Sequence, residues 1–278
     1  MNIKLTKRLS LFTKRVNVVL RFWITDKKVE KWANGKNIFF VLAIGRSGTK
    51  FLADLLNKAP GTYVAHEPVQ RDFRAYQRAF HSEEEAMKYI QGFRKREIYL
   101  RCRDKGINTY GEVNSVLRRH CNALKQAFPE AVFLHLIRDG REVVRSMMSR
   151  DTMTEKDPKI QYIYPAENDP CCDKWSEMTR FEKLCWLWRV ENEYLQNVIQ
   201  AGPIQIEKLC SSYKYFEKHV LIPLNLEISE DIWLQHAKLP KNVTREYKFS
   251  HFSQWDGKTA ETFENICGEE MEANGYSF

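Results

Sequence analysis

Within six residues, Gly45-Arg46-Ser47-Gly48-Thr49-Lys50 supplies two glycines, two hydroxyls and two cations, a set suited to gripping a phosphate or sulfate. Glycines let the backbone turn tightly and approach an anion, and a helix starting behind them offers unpaired N–H groups. A plain strand-to-helix turn would need one glycine and no Arg/Lys pair. The run is not a Walker A loop, G-x-x-x-x-G-K-[ST]. Lys50 is followed by Phe51, so no hydroxyl stands where Mg²⁺ would be held; metal-dependent nucleotide hydrolysis is disfavoured and no metal is expected.

A second constellation lies about ninety residues on, Arg138-Asp139-Gly140 through Ser146. Val143, Val144, Met147 and Met148 form an apolar helical stripe, and Ser146 falls off it, so core packing does not account for the serine. Arg138 and Ser146 can converge on one anion, the guanidinium giving paired charge-assisted bonds. The plainer alternative is an arginine that caps a strand or pairs with Asp139.

The elements that must position these groups follow from periodicity. Ile38 to Ile44, and Ala131 to Ile137 with a single interruption at His135, are apolar runs that read as buried strands, each leading directly into one of the two motifs. Further strands are expected at 63–65, 107–113 and 203–206, and helices at 50–58, 83–96, 115–127, 140–150, 180–201, 212–220 and 259–273. This alternation gives an α/β chain with a central, mostly parallel sheet covered by helices on both faces. In such sheets ligands gather at the carboxyl ends of the strands.

At 278 residues, 43% hydrophobic and 13% aromatic, the chain can bury one core without disulfides or metals. Seven cysteines without CxxC or Cys/His ligand spacing make no disulfide framework and point to a reducing, cytoplasmic setting. Residues 1–36 read as a basic amphipathic helical segment, with Leu5, Leu9, Phe12, Val16 and Val19 at helical spacing and no acid before Asp26. Its apolar stripe suits packing on the domain or on a homodimer mate, and secondarily a weak membrane-surface contact. No run of about 20 apolar residues appears, so no membrane anchor is expected. The segment contributes much of the net charge of +8.

Together the two motifs resemble those of the sulfotransferase family, whose donor is 3′-phosphoadenosine 5′-phosphosulfate (PAPS) and whose nucleotide product is 3′-phosphoadenosine 5′-phosphate. The resemblance covers roughly residues 37–278, which would form one domain with a P-loop-like, three-layer α/β fold. It implies that Gly45, Arg46, Ser47, Gly48, Thr49, Lys50 and Phe51 hold the 5′-phosphosulfate, and that Arg138 and Ser146 hold the 3′-phosphate. Ile204 to Leu209 is similar to the family's strand after the long helix, with Ile206 where a tyrosine is usual. The ending Gly275-Tyr276 resembles that of many bacterial members. Two positions depart from the family pattern: Lys50 replaces a second hydroxyl, and Gly140 stands where proline is frequent. The G-x-x-G-x-x-K segment that closes over the donor is missing, and Arg245, Lys248, Ser250 and Trp255 occupy its region.

Sulfuryl transfer needs in-line positioning, stabilisation of the bridging oxygen and removal of a proton from the acceptor, by analogy with phosphoryl transfer. Arg46 and Lys50 suit the second role. Glu67 in His66-Glu67-Pro68 is placed similarly to the catalytic glutamate of tyrosylprotein sulfotransferases and is the first choice of base. His66 could serve near neutral pH, and Glu112 occupies the position of the histidine base in the cytosolic branch.

Residues 151–178 have no clear periodicity and read as an acceptor lid, acidic through Asp151, Glu155, Asp157, Glu167, Asp169 and Asp173, and aromatic through Tyr162, Tyr164 and Trp175. That composition suits a neutral or cationic ring compound, and the resemblance points to bacterial small-molecule sulfotransferases that tailor natural products, including guanidinium alkaloids of the saxitoxin type. Trp186 and Trp188 are candidates for the pocket or for the core. Two other readings stay open, a P-loop nucleotide-dependent kinase and a sulfotransferase acting on a carbohydrate or peptide. A nucleic-acid partner is not expected, since the basic N-terminus would serve it but the two motifs would go unexplained.

Overall fold

The computed structural model describes residues 24–157, 162–237 and 246–277. Five strands form one parallel sheet in the order β2-β3-β1-β4-β5: β1 Asn37–Leu42, β2 Thr62–His66, β3 Thr109–Asn114, β4 Val132–Ile137 and β5 Ile204–Gln205. The order explains the unbroken apolar run of β1, which lies in the middle of the sheet with both faces covered and is buried from Ile38 onward. Close packing fixes one register position. Phe39 sits opposite Gly111, where a Cβ would come within 2.1 Å of the Phe39 ring.

Helices cover both faces. On one face α2 (Thr49–Leu56), α8 (Ile206–Ser211), α9 (213–224) and α10 (Glu230–Ala237) bury Leu52, Leu55, Phe216 and Trp233 against Val41 and Leu136. On the other, α1 (Asp26–Ala33), α3 (Asp72–Ala79), α4 (83–102) and α5 (Cys121–Ala127) pack on Phe40, Leu42 and Tyr110. A third cluster around Ile44 and Ile137 joins α6 (Gly140–Met148), α7 (Arg180–Val198) and α11 (Gly257–Ala273) at the carboxyl edge of the sheet. Here Gly140 lets α6 start against α7, because a Cβ would meet Trp188 and Phe263 at 3.0 Å.

The expected strands are all present, shifted by up to two residues. The helix expected over 115–127 begins in regular form only at Cys121. Its first residues are held in a turn by Asn114, whose Oδ1 accepts from the amides of Val116 (2.9 Å) and Leu117 (3.1 Å). The helix expected over 83–96 runs on to Cys102 through a π-type turn at Ile90–Arg94, and α3, α8 and α10 were not anticipated. Of the expected N-terminal helix, residues 1–23 lie outside the described residues; α1 buries Val29 beside Ile24.

The π-type turn delivers Arg94 into the interior. Its side chain is fully buried, Nη2 lying 2.7 Å from both oxygens of Glu112 and Nε 3.0 Å from Asp72 Oδ1. Tyr110, Asn114 and Tyr89 donate to the same two carboxylates. Burial pushes the Asp72 carboxyl up to about 6 although Arg94 opposes the shift, a sign that this network is expensive to desolvate and intolerant of a missing partner. Arg94→Met should therefore lower unfolding stability by about 3–5 kcal/mol in urea titrations; a loss under about 1 kcal/mol would show that the charges are better solvated than their burial implies.

Candidate active site

Parallel strands in register place their last residues side by side: Leu42 pairs with Asn114 and with His135, and His66 with Val113. The residues that follow, the 45–50 loop, Glu67, Ser115 and Arg138, emerge along one edge and line a single cavity of about 200 Å³. Gly45, Arg46 and Gly48 to Phe51 form one wall, His66, Glu67 and Ser115 another, and Arg138 closes the end.

The cradle is built as its glycines require. Gly48 has φ +85°, and a Cβ there would lie 2.9 Å from Ile206 Cγ1, so the turn into α2 tolerates no side chain. The amides of Thr49 and Lys50 head α2. Ser47 is fully buried and its Oγ has no hydrogen-bond partner among the described residues, which leaves a buried polar group without compensation from the protein. Among the described residues four other than glycine have positive φ. Three of them line this cavity or the one adjoining it: Arg46 (76°), Glu67 (43°) and Met153 (56°). Backbone strain of this kind concentrates at functional sites.

The two motifs meet through Arg46. Its Nε donates to Ser146 Oγ at 2.8 Å, while Arg138 Nη1 donates to the Arg46 carbonyl at 3.1 Å. Burial lowers the pKa of the Arg46 guanidinium, and repulsion from Arg150 and Arg138 lowers it further, so positive charge is concentrated where an anion would relieve it. Arg138 itself pairs with Glu142 at 3.2 Å; Asp139 is taken by Arg141 and caps α6 through the Arg141 amide. Behind Arg138, Glu207 accepts from the Asp139 amide at 3.0 Å and from the Tyr276 hydroxyl at 2.9 Å. This joins Glu207 and the Gly275-Tyr276 ending to the cradle's outer wall.

The three candidate bases separate clearly. Glu67 faces the cavity, and its Oε1 accepts from the hydroxyl and, at 3.4 Å, the amide of Ser115. His66 also faces it, but its Nε2 is 3.0 Å from Thr49 Oγ1, and burial, with Lys50 adding to it, lowers its pKa below the ordinary histidine value. The ring is accordingly neutral at pH 7 and orients the Thr49 hydroxyl. Glu112 does not line the cavity: fully buried, it is held by Arg94, Tyr110 and Asn114 and acts as a structural carboxylate.

Other expected site residues fall elsewhere. Ser146 is buried and bonds Arg46 instead of lining the cavity. Lys248 is exposed and its amide donates to Ser149 Oγ at 2.9 Å; Arg245 lies outside the described residues. Trp188 is core, its Nε1 donating to the Arg138 carbonyl at 3.2 Å. Trp186, Tyr164 and Asp169 line a separate cavity of about 390 Å³ that shares no lining residue with the first. Ser115 was missed by motif reasoning, yet the signal existed: like Glu67 and Arg138, it directly follows the last residue of a parallel strand.

A family model described as the sulfotransferase family matches residues 39–189, a span that holds the cradle, Glu67, Ser115, Arg138 and Ser146. Among solved structures, a sulfotransferase from Alicyclobacillus acidocaldarius superposes with a TM-score of 0.50 at 14% identity, covering 87% of this chain and 97% of that one. That likeness shows the fold. No curated protein sequence is significantly similar. If the cradle is an anion site, Gly48→Ala should weaken adenosine 3′,5′-bisphosphate at least tenfold in calorimetry, about 1.4 kcal/mol. Gly35→Ala is the control, another left-handed glycine with open space around it and no part in the cavity; equal affinities of the two variants would remove the cradle from the binding site.

Proposed function

The chain belongs to the sulfotransferase family, and on that premise we propose that it moves a sulfuryl group from PAPS to a hydroxyl or nitrogen of a small molecule, as a tailoring enzyme would. The supporting observation is the junction at Arg46, where the bonds to Ser146 and from Arg138 bring both anion motifs to one 200 Å³ cavity that also holds a carboxylate. The seven free thiols support a reducing, cytoplasmic setting.

In this reaction the 5′-phosphosulfate takes the cradle, with the α2 amides, the Thr49 hydroxyl and Lys50 as donors. Arg138 recognises the 3′-phosphate, and Ser146 acts behind it by holding Arg46. The acceptor oxygen forms a bond to sulfur as the bond from sulfur to the bridging oxygen breaks, and the electron pair of that bond leaves on the nucleotide. Arg46 and Lys50 stabilise the charge that develops there, worth most in a site screened from water. The acceptor proton passes to Glu67, whose other oxygen is held by Ser115. His66, neutral and tied to Thr49, positions a cradle hydroxyl. A metal-dependent kinase is disfavoured by the residues themselves, since Phe51 follows Lys50 and β4 delivers Arg138 in place of an acid.

Two measurements test these assignments. Wild type should bind adenosine 3′,5′-bisphosphate more tightly than adenosine 5′-monophosphate by roughly 1.5–3 kcal/mol, and Arg138→Ala should erase most of that difference; equal wild-type affinities contradict the donor assignment. Glu67→Gln should keep nucleotide affinity and lose transfer to a hydroxyl acceptor by ~10²–10⁴-fold, whereas Glu112→Gln should lower the melting temperature and leave turnover per folded molecule near wild type. The reverse pattern would move the base to β3.

A further inference from the structure

A second cavity of about 160 Å³ adjoins the first and shares Gly45, Arg46 and Ser115 with it. Resting on the sulfotransferase reading above, we propose that this cavity is the acceptor site and that it takes a small, uncharged, single-ring alcohol or phenol carrying its hydroxyl toward Ser115 and Glu67.

Size and lining both point there. A dry apolar cavity of about 150 Å³ accommodates one benzene ring, and the shared residues Gly45, Arg46 and Ser115 set it directly beside the first cavity. The body of the pocket is formed by Ile44, Val116, Met147, Met153, Ile163 and Leu187, all at least nine-tenths buried. Three of the polar side chains that touch it, Tyr76, Arg118 and Asp157, are committed elsewhere. Tyr76 donates to Glu191 Oε1 at 2.5 Å, Arg118 pairs with Glu191 at 2.7 Å while stacking on the Tyr76 ring, and Asp157 accepts from the Met153 amide at 3.0 Å. A sugar would bury more hydroxyls than the few polar groups of this lining can partner, each unpaired one unfavourable by its lost hydration. A ring with one hydroxyl loses nothing of the kind, because that group lies at the junction where Ser115 and Glu67 stand.

The 151–178 segment serves this pocket differently from its composition. It contributes Met153 and Ile163 to the wall, and Asp157 is its single acid there among the described residues. Tyr164 and Asp169 turn to the separate cavity, Asp169 held by Arg189 at 2.9 Å and by Trp186 Nε1 at 3.0 Å. The acidic, aromatic surface that would favour a cationic acceptor is therefore not the surface facing the sulfuryl group. Transfer to such an alcohol forms the sulfate ester's S–O bond, releases the nucleotide with the bridging oxygen and delivers the hydroxyl proton to Glu67.

Calorimetry of 4-methylphenol against the protein saturated with adenosine 3′,5′-bisphosphate reads the pocket, and donor-dependent sulfation of 4-methylphenol, 2-naphthol and glucose reads its selectivity. The expected result is binding of 4-methylphenol and a kcat/KM at least tenfold above those of 2-naphthol and glucose, with Leu187→Ala narrowing the gap to 2-naphthol by enlarging the pocket. Phe73→Ala, whose half-exposed ring lines the same cavity, gives the same readout should the Leu187 variant fold poorly. Tight nucleotide binding together with better turnover of 2-naphthol or glucose overturns the acceptor class and leaves the sulfotransferase reading standing. Absence of nucleotide binding overturns that reading and the proposal with it.

Discussion

Everything at the carboxyl edge of the sheet depends on holding arginines where they repel one another. Burial depresses the Arg46 pKa, and repulsion from Arg150 and Arg138 depresses it further, an unfavourable arrangement that the fold must enforce. It does so with directional bonds to neutral groups, Arg46 Nε to the Ser146 hydroxyl and Arg138 Nη1 to the Arg46 carbonyl. These neutral acceptors fix the Arg46 guanidinium without cancelling its charge, while Arg138 also pairs with Glu142 on the far side. Carboxylates in the same places would hold the arginines more firmly and abolish the potential that draws an anion. The left-handed backbone at Arg46 belongs to the same device, since it orients a long side chain that an extended backbone would send elsewhere.

Beyond Glu67 in the cavity and Glu142 beside Arg138, the carboxylates of this region lie one layer back. Glu112 and Asp72 enclose Arg94 beside β3, and Glu191 of α7 pairs with both Arg118 and Arg119. Burial raises the Asp72 carboxyl toward 6, whereas the Glu191 carboxyl is lowered by its two arginines against its own desolvation. The second cluster is thus the better compensated of the two. Arg118 also donates to the Ser115 carbonyl, so this cluster sets the position of the residue that orients Glu67. Stability and chemistry are coupled through one short turn after β3.

Where the sequence was legible, local pattern and tertiary demand agreed. The runs at 38–44 and 131–137, short and rich in β-branched and aromatic residues, read as buried strands, and the motifs that follow them fall at the strand ends. Glu67 could be placed for the same reason, as the residue after β2. What sequence could not separate was Glu67 from Glu112: both are glutamates at or near a strand's carboxyl end. The difference is a register effect, because Glu112 sits two residues inside β3 opposite Ala65 and Phe40, with its side chain in the helical layer beside Arg94, while Glu67 lies past the last paired residue. The helix misplaced over 115–120 has a single cause as well. Asn114 competes for the first two amides, a side-chain bond that periodicity does not register.

The same turn explains why the site divides into two cavities. Ser115 belongs to both, and its hydroxyl is the polar boundary between a wall of cations and backbone amides and a wall of Ile44, Val116 and Leu187. Had the α5 helix begun at 115, as its sequence favours, the Ser115 amide would have turned into the helix and Glu67 would have lost one of its two donors. Asn114 prevents this at the cost of one turn of helix. A carboxylate fixed on one oxygen keeps the other available, and it stands at the line where the anionic and apolar compartments meet. A hydroxyl carried by an apolar acceptor crosses that line first, so the proton-accepting group and the site of charge development are separated by construction: Glu67 and Ser115 on the acceptor side, Arg46 and Lys50 on the donor side.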